Sequence, residues 1–154
     1  MTTLHLTTAI KAPVEIVFNN SRNIDIHQHS ASQTNEKAIA GRTTGLIEKG
    51  ETVTWKGKHF GLYLQHQSMI SEMDFYSYFV DKQLKGHFKS FKHQHFFEEK
   101  NGVTIMQDMI QYETPFGLFG KAFDYLFLRK HLTNFIMYRN QVLKTISESV
   151  KVSL

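Results

Sequence analysis

A change of hydrophobic period near residue 113 constrains the fold of this chain more than any other feature of its sequence. Between residues 34 and 112, apolar and polar residues tend to alternate, which is typical of strands with one buried face. Glycines interrupt the alternation, and Asn101-Gly102 is a strong signal for a tight hairpin. From residue 121 to 149, apolar residues that include Tyr125 recur every three or four positions, as on one face of a helix, whereas Arg139 falls on the other face. We therefore predict an antiparallel sheet followed by one long amphipathic helix.

The same patterns give approximate element boundaries. A first strand is predicted over residues 3–10, and Pro13 suits the first turn of a short helix, which a second short helix follows within residues 22–30. The segment TPFGLFG, residues 114–120, is predicted to separate the sheet from the long helix. The six further strands are predicted at residues 35–40, 51–60, 62–73, 75–83, 87–98 and 103–113.

Composition narrows the class of protein. A chain of 154 residues is predicted to form one domain over residues 1–154. It contains no cysteine, lacks the pattern of a signal peptide at its start, and has no apolar run of the ~18 residues that span a bilayer. We therefore expect a cytoplasmic protein without stable membrane insertion. The net charge is +4 and the lysines are dispersed, so we expect no nucleic-acid partner.

Aromatic residues are unusually frequent. The chain has 13 Phe, 6 Tyr and 1 Trp, and so many rings in a small domain must either fill a thick core or line a hollow one.

Strand parity predicts that two histidines point into the interior. In the stretch SFKHQHFF, Phe91, His93, His95 and Phe97 share one face, while Ser90, Lys92 and Gln94 lie on the other. Because the second face carries polar residues, the first should face inwards.

Parity gives similar results on a second strand and leaves several positions open. In ETVTWKGKHF, the lysines occupy one face, so Trp55 and His59 are predicted to face inwards. Parity does not decide whether Asp81, Gln83 and Asp108 also do so, because both faces of their strands are mixed.

Four sequence segments, APVEIVF, GETVTWKGKHFG, FKHQHFFEEKNGVTIMQD and TPFGLFG, resemble the SRPBCC (START / Bet v 1-like) ligand-binding superfamily. The similarity is greatest to its small bacterial members, described as polyketide cyclase/dehydrase-like or cell-division-inhibitor-like, and it extends from about Ala9 to Lys144. The resemblance implies an α+β helix-grip fold, in which a seven-stranded antiparallel sheet wraps around a long C-terminal helix and encloses a deep apolar cavity. Such proteins bind or transform lipids, sterols, polyketides and aromatic compounds, and some assist other proteins. The shared fold does not identify the chemistry.

Parity and resemblance together give a candidate ligand-binding set. The resemblance places the segment before the long helix at the cavity mouth, where three phenylalanines would close over a ligand. The candidate ligand-binding residues are Trp55, His59, Phe91, His93, His95, Phe97, Asp108, Phe116, Phe119 and Phe123.

Three roles for the inward histidines remain open. They could hold a metal with His59 and Asp108, act as an acid–base group, or form a structural hydrogen-bond network. One His-x-His pair is a weak metal pattern and the resemblance implies no metal, so we expect no metal and no cofactor. The preferred function is binding or carrying a small hydrophobic molecule. The alternatives are a cyclase- or dehydratase-like enzyme that uses one of the cavity histidines His59, His93 and His95 as acid–base, and a protein-interaction module without a ligand.

Overall fold

Seven strands and a long helix make up most of residues 1–150, which the computed structural model describes. The strands are β1 (Thr2–Ile10), β2 (Lys37–Gly41), β3 (Thr52–His59), β4 (Leu62–Asp74), β5 (Tyr78–Lys85), β6 (Ser90–Lys100) and β7 (Val103–Glu113). The helices are α1 (Val14–Ser21), α2 (Ile24–Ser30), α3 (Gly117–Phe123) and α4 (Arg129–Ser149). The prediction of one domain over residues 1–154 stays a prediction, and residues 151–154 lie outside the described residues.

All seven strands pair antiparallel in one sheet, in the order β1-β7-β6-β5-β4-β3-β2. Consecutive strands from β2 to β7 are neighbours, and β1 pairs with the last strand, β7. The predicted Asn101-Gly102 hairpin is confirmed, and both residues have the positive φ angles, 53° and 77°, that a tight primed turn requires. Phe60 and Gly61 form the corresponding turn between β3 and β4. The predicted sheet and order of elements are therefore confirmed.

The long helix begins four residues earlier than predicted. α3 and α4 are joined without interruption by a π-helical segment, Asp124–Leu128, so that the helix extends from Gly117 to Ser149. The prediction that TPFGLFG separates the sheet from the helix is thus wrong for its second half. A Cβ atom at Gly120 would overlap with the Pro115 carbonyl oxygen, so only glycine permits this close approach at the helix start.

The π-helical segment also changes which residues face the sheet. Asp124 points towards the sheet and accepts hydrogen bonds from the hydroxyl groups of Thr2 and Tyr112. Tyr125, which the helical periodicity assigned to the apolar face, is exposed instead. A π turn contains an extra residue, so a uniform period carried through it assigns the wrong face.

The apolar core lies at the two ends of the space between the sheet and α4. At one end, the ring of Phe18 from α1 packs against four other rings, with centroid distances of 5.2–5.5 Å; these rings belong to Phe75, Tyr76, Phe79 and Phe97. At the other end, Leu4, Ile110 and Tyr112 pack against Leu128 and Ile136 of the long helix. A cavity lies between the sheet and the long helix, and members of both clusters line it.

Candidate functional site

The cavity between the sheet and the long helix has a volume of about 1130 Å³. Its wall is mainly apolar, with aromatic side chains from β3 and β6 on one side and α4 on the other. Prominent apolar lining residues are Trp55, Phe79, Phe91, Leu132, Phe135 and Ile136. Two groups of polar side chains interrupt this apolar wall.

The first polar group contains the two histidines of β6. His93 and His95 are 6% and 2% exposed, so their predicted inward orientation is confirmed. Their rings stack on each other with centroids 3.8 Å apart, and His95 also stacks on Phe79. The alternation of β6 explains this placement, because Lys92 and Gln94 lie on its other face and are less buried.

Asp108 on β7 is the centre of the hydrogen bonds around these rings. The Nε2 atom of His93 donates to its Oδ1 atom at 2.7 Å, and the amide of Asn140 donates to Oδ2 at 2.7 Å. The guanidinium of Arg139 lies 3.8 Å from the same carboxylate. The carboxylate is completely buried, and it connects the sheet to α4.

Asp81 on β5 contacts the same histidines from the cavity side. Its Oδ2 atom accepts a hydrogen bond from His95 Nε2 at 3.1 Å and lies 3.9 Å from His93 Nδ1. The parity of β5 left the direction of this side chain open, and the structure places it on the cavity wall. We call the six residues Asp81, His93, His95, Asp108, Arg139 and Asn140 the central cluster.

The central cluster keeps its carboxylates ionised. Burial by itself would raise the pKa of both, but hydrogen bonds and attraction from His93 and His95 outweigh it. The pKa of Asp81 falls to about 2, and that of Asp108 falls well below its usual range. Burial and repulsion by His95 lower the pKa of His93 to about 4, against the attraction of both aspartates. His93 is therefore neutral at pH 7.

The second polar group lies at another part of the wall and centres on Glu36. Its Oε1 atom accepts a hydrogen bond from His27 Nε2 at 2.7 Å, and Oε2 lies 3.9 Å from His59 Nε2. His59 Nδ1 is 2.9 Å from Nε2 of His131 on α4. Burial would raise the pKa of Glu36, but its interactions with His27 and His59 outweigh burial and lower it to about 2. We call these four residues the Glu36 cluster.

The cavity opens between the β3–β4 turn and α3. Five apolar side chains both line the cavity and reach solvent there: Phe60, Leu62, Phe116, Phe119 and Phe123. Phe116 and Phe119 are 83% and 87% exposed, so they form the rim rather than a closed lid.

The structure brings most of the candidate ligand-binding residues to one cavity, but it distributes the polar ones between the central cluster and the Glu36 cluster. Eight of the ten lie on the wall or rim; these are Trp55, His59, Phe91, His93, His95, Phe116, Phe119 and Phe123. Phe97 packs in the aromatic core, and Asp108 lies behind the histidines, so neither is on the wall. His59 belongs to the Glu36 cluster and not, as predicted, to the group around His93. Ligand binding by these residues stays a prediction.

Sequence patterns missed several polar residues of the cavity. Glu36 and His27 come from irregular or short segments without a usable period, and His27 stacks on Trp55. Arg139 was assigned to the outer face of the helix, yet it is 5% exposed and lines the cavity. Each of these residues belongs to the site because it contacts a partner on a different element, so no pattern within a single element would have identified it.

Comparison with other proteins supports the fold. No family model and no curated protein sequence matches the chain. Solved structures do match: TTHA0849 from Thermus thermophilus is 15% identical, with a TM-score of 0.78 over 97% of this chain and 100% of that one. The major latex-like protein 151 of Panax ginseng is 16% identical, with a TM-score of 0.68 over 95% and 97% of the two chains. Ara h 8.0201 is 9% identical, with a TM-score of 0.67 over 97% and 99%. The chain has the Bet v 1-like helix-grip fold.

Within the Bet v 1-like fold of this chain, the cavity lies where the sheet and the long helix fail to touch. None of the helices in residues 1–150 combines the length and the apolar character needed to cross a membrane.

Proposed function

We propose that this Bet v 1-like chain binds a small, mainly apolar ligand inside its cavity, with a polar group of the ligand next to the central cluster. The observation that carries the proposal is the cavity of about 1130 Å³, which is large enough for a lipid, a polyketide or an aromatic compound. Its mainly apolar wall would favour such a ligand by roughly 25 cal/mol per Å² of apolar surface removed from water.

The polar groups of the wall support selectivity within that class. Asp81, His93 and Glu36 reach the cavity among apolar neighbours, and a few polar groups in an apolar pocket fix the orientation of a ligand. The ionised carboxylates of Asp81 and Glu36 would suit a ligand that carries a hydrogen-bond donor. A fatty acid would suit them less well, because the carboxylate of the fatty acid would face charges of the same sign.

A tryptophan in place of Leu132 should weaken binding of an apolar probe by at least about tenfold, which corresponds to ~1.4 kcal/mol. Leu132 lines the cavity from α4, and the larger ring would occupy space that the probe needs. The measurement is fluorescence titration with N-phenyl-1-naphthylamine. The matched control is Met137→Trp, because Met137 lies on the same helix but is exposed and outside the cavity wall.

Equal affinities in the wild type and both variants would contradict binding in the cavity. Native mass spectrometry and lipid extraction of the protein as isolated would identify the chemical class of any natural ligand. A bound quinone, polyketide or aromatic compound would agree with the proposal.

A cyclase- or dehydratase-like enzyme is the second candidate. The observation in its favour is that each histidine of the central cluster contacts a carboxylate, which is a common way to orient an acid–base imidazole. His95 and Asp81 would form the pair next to a substrate. An enzyme would convert the co-purified ligand during incubation, whereas a carrier would release it unchanged.

A protein-interaction module without a ligand is less well supported. Such a module would show an exposed apolar surface without a large interior space. The exposed rim fits that description, but the volume of the cavity does not.

A further inference from the structure

Three potential metal ligands converge on the cavity wall. Asp81 Oδ2 lies 3.1 Å from His95 Nε2 and 3.9 Å from His93 Nδ1. One ligand atom from each residue lies within 4.8 Å of the other two. Ligand atoms held at about 2.0–2.2 Å by one zinc ion are about 3–3.5 Å apart, so each of the three ligand atoms would have to move by up to about 1 Å for all of them to bind one ion.

Asp108 orients both imidazoles from behind. Its Oδ1 atom lies 2.7 Å from His93 Nε2 and 3.2 Å from His95 Nδ1. His93 Nε2 donates to Asp108, so the lone pair of His93 Nδ1 points towards Asp81. His95 donates from Nε2 to Asp81, and its Nδ1 makes no hydrogen bond to the described residues although Asp108 lies 3.2 Å away. Metal-bound histidines commonly have such a carboxylate on their remote nitrogen.

A metal ion next to Asp81 would take the place of the Nε2 proton of His95, which donates to Asp81 at 3.1 Å. The proton of His95 would then lie on Nδ1, which faces the Asp108 carboxylate 3.2 Å away. We propose that Asp81, His93 and His95 form a binding site for a divalent transition metal such as Zn²⁺, Mn²⁺, Fe²⁺ or Co²⁺.

Two imidazoles and one carboxylate suit these metals and leave coordination positions free. Those positions would face the cavity, because all three residues line it. The sequence expectation of no metal considered His59 and Asp108 as the completing ligands. The structure places Asp81 there instead. The metal proposal does not depend on an apolar ligand, since the three side chains alone define the site.

Cobalt is the probe of choice, because Co²⁺ bound by nitrogen and oxygen ligands has visible absorption bands. Tag-free protein would be treated with a chelator, dialysed and titrated with Co²⁺, and then with Zn²⁺ in competition. We expect one equivalent of Co²⁺ to bind. Asp81→Asn and His95→Gln should each weaken binding by more than about 100-fold, above the 10–100-fold range that is typical of outer-shell partners. The control is His29→Gln in α2, which removes one histidine of the chain's second His-x-His pair, His27 and His29, and should leave binding unchanged.

Two results would overturn the metal proposal. Binding of less than half an equivalent to the wild type would mean that a proton alone lies between His95 and Asp81, and this result needs no variant to fold. The second result is stoichiometric binding that survives in Asp81→Asn and His95→Gln but is lost in His29→Gln. It would assign the metal to another site. Circular dichroism of each variant would confirm that it is folded.

A separate observation concerns the outer surface around the cavity opening. Six exposed apolar side chains form what we call the mouth patch: Phe60, Leu62, Phe116, Phe119, Phe123 and Phe127. Phe60 and Phe123 are in ring contact at 5.2 Å, so the β3–β4 turn and the long helix form one continuous surface. Leu118 and Leu126 in the same helical region are also more than 60% exposed. Contiguous apolar patches of this kind mark interaction sites.

The charges near the mouth patch are predominantly positive, and the nearby exposed carboxylate of Glu113 is paired with Lys89. Exposed lysines and an arginine lie in the adjoining segments, namely Lys56, Lys58, Lys121, Arg129 and Lys130. Within the described segments 52–71 and 114–139, the one acidic residue is Asp124, which is buried. Apolar side chains flanked by cations complement an anionic lipid surface. We infer that the mouth patch docks on anionic membranes, with the cavity opening towards the lipids.

Sedimentation with lipid vesicles tests the docking proposal. We expect binding to vesicles of phosphatidylcholine with about 30% phosphatidylglycerol and at least about tenfold weaker binding to phosphatidylcholine alone, because each lysine near an anionic surface adds attraction. Phe116→Ser with Phe119→Ser should reduce binding to the anionic vesicles by at least about tenfold. The control is Met137→Ser, an exposed apolar residue outside the patch.

Absence of binding to the anionic vesicles would overturn membrane docking. A dimer in analytical ultracentrifugation that the double serine variant dissociates, without vesicle binding by the wild type, would assign the mouth patch to a second copy of the chain. Failure of either test leaves apolar probe binding unaffected, so these proposals and the proposed function can be judged separately.

Discussion

Replacing Asp108 by asparagine should lower the free energy of unfolding at pH 7 by about 3–5 kcal/mol, the range that follows removal of one partner from a buried ion pair. The Asp108 carboxylate is fully buried and receives hydrogen bonds from His93 and Asn140. Arg139, which is also buried, would lose the anion 3.8 Å away. Asparagine has the same shape but no charge and only one acceptor oxygen, so the effect would report the loss of the charge and of one hydrogen bond, and not of volume.

Urea denaturation would measure this change, with fluorescence of the only tryptophan, Trp55, as the probe. The matched control is Asp74→Asn at the exposed end of β4, for which we expect a change within about 0.5 kcal/mol. If the two variants unfolded at the same urea concentration, the central cluster would not be a stabilising network.

Acid should destabilise the protein through Glu36. The pKa of this carboxyl falls from 4.5 to about 2 in the fold, because its interactions with His27 and His59 outweigh the opposing effect of burial. A carboxyl group whose pKa is lower in the folded than in the unfolded protein stabilises the fold at pH values above its unfolded pKa. This contribution is lost as the pH falls from about 4.5 towards 2. A pKa shift of this size corresponds to roughly 3 kcal/mol of the free energy of unfolding, and about two-thirds of that contribution should be lost by pH 3.

The measurement is urea denaturation of wild type and Glu36→Gln at pH 7, 5, 4 and 3. The wild type should lose about 2 kcal/mol more than the variant between pH 7 and pH 3. Asp81 and Asp108 titrate in both proteins, so the difference between the two curves reports Glu36 together with its pairing to His27 and His59. Parallel curves would mean that the pKa of Glu36 is not lowered in the fold.

The fold could be predicted from the sequence because its signals are local. Alternation along each strand and three- to four-residue steps along the helix follow from backbone geometry. The helix start was the main error, because the close approach of Gly120 to the Pro115 carbonyl is a contact between segments that no period records.

The candidate site could be predicted only in part. Parity within β6 correctly placed His93 and His95 on the inner face, since neighbouring positions on one strand constrain each other. It could not identify their partners. Asp81 lies opposite His93 through the pairing of β5 with β6, and Asp108 lies opposite His95 through the pairing of β6 with β7.

The sequence by itself therefore determined the order of the elements, the inward face of each well-patterned strand and the aromatic character of the interior. The tertiary structure decided which carboxylate meets which histidine, that His59 joins Glu36, and that Arg139 is buried beside Asp108. The physical reason is distance along the chain. Periodicity is set by neighbouring residues, whereas strand register and the docking of the long helix join side chains that are distant in sequence. The cavity depends on both, because it is the space that the helix leaves above the curved sheet.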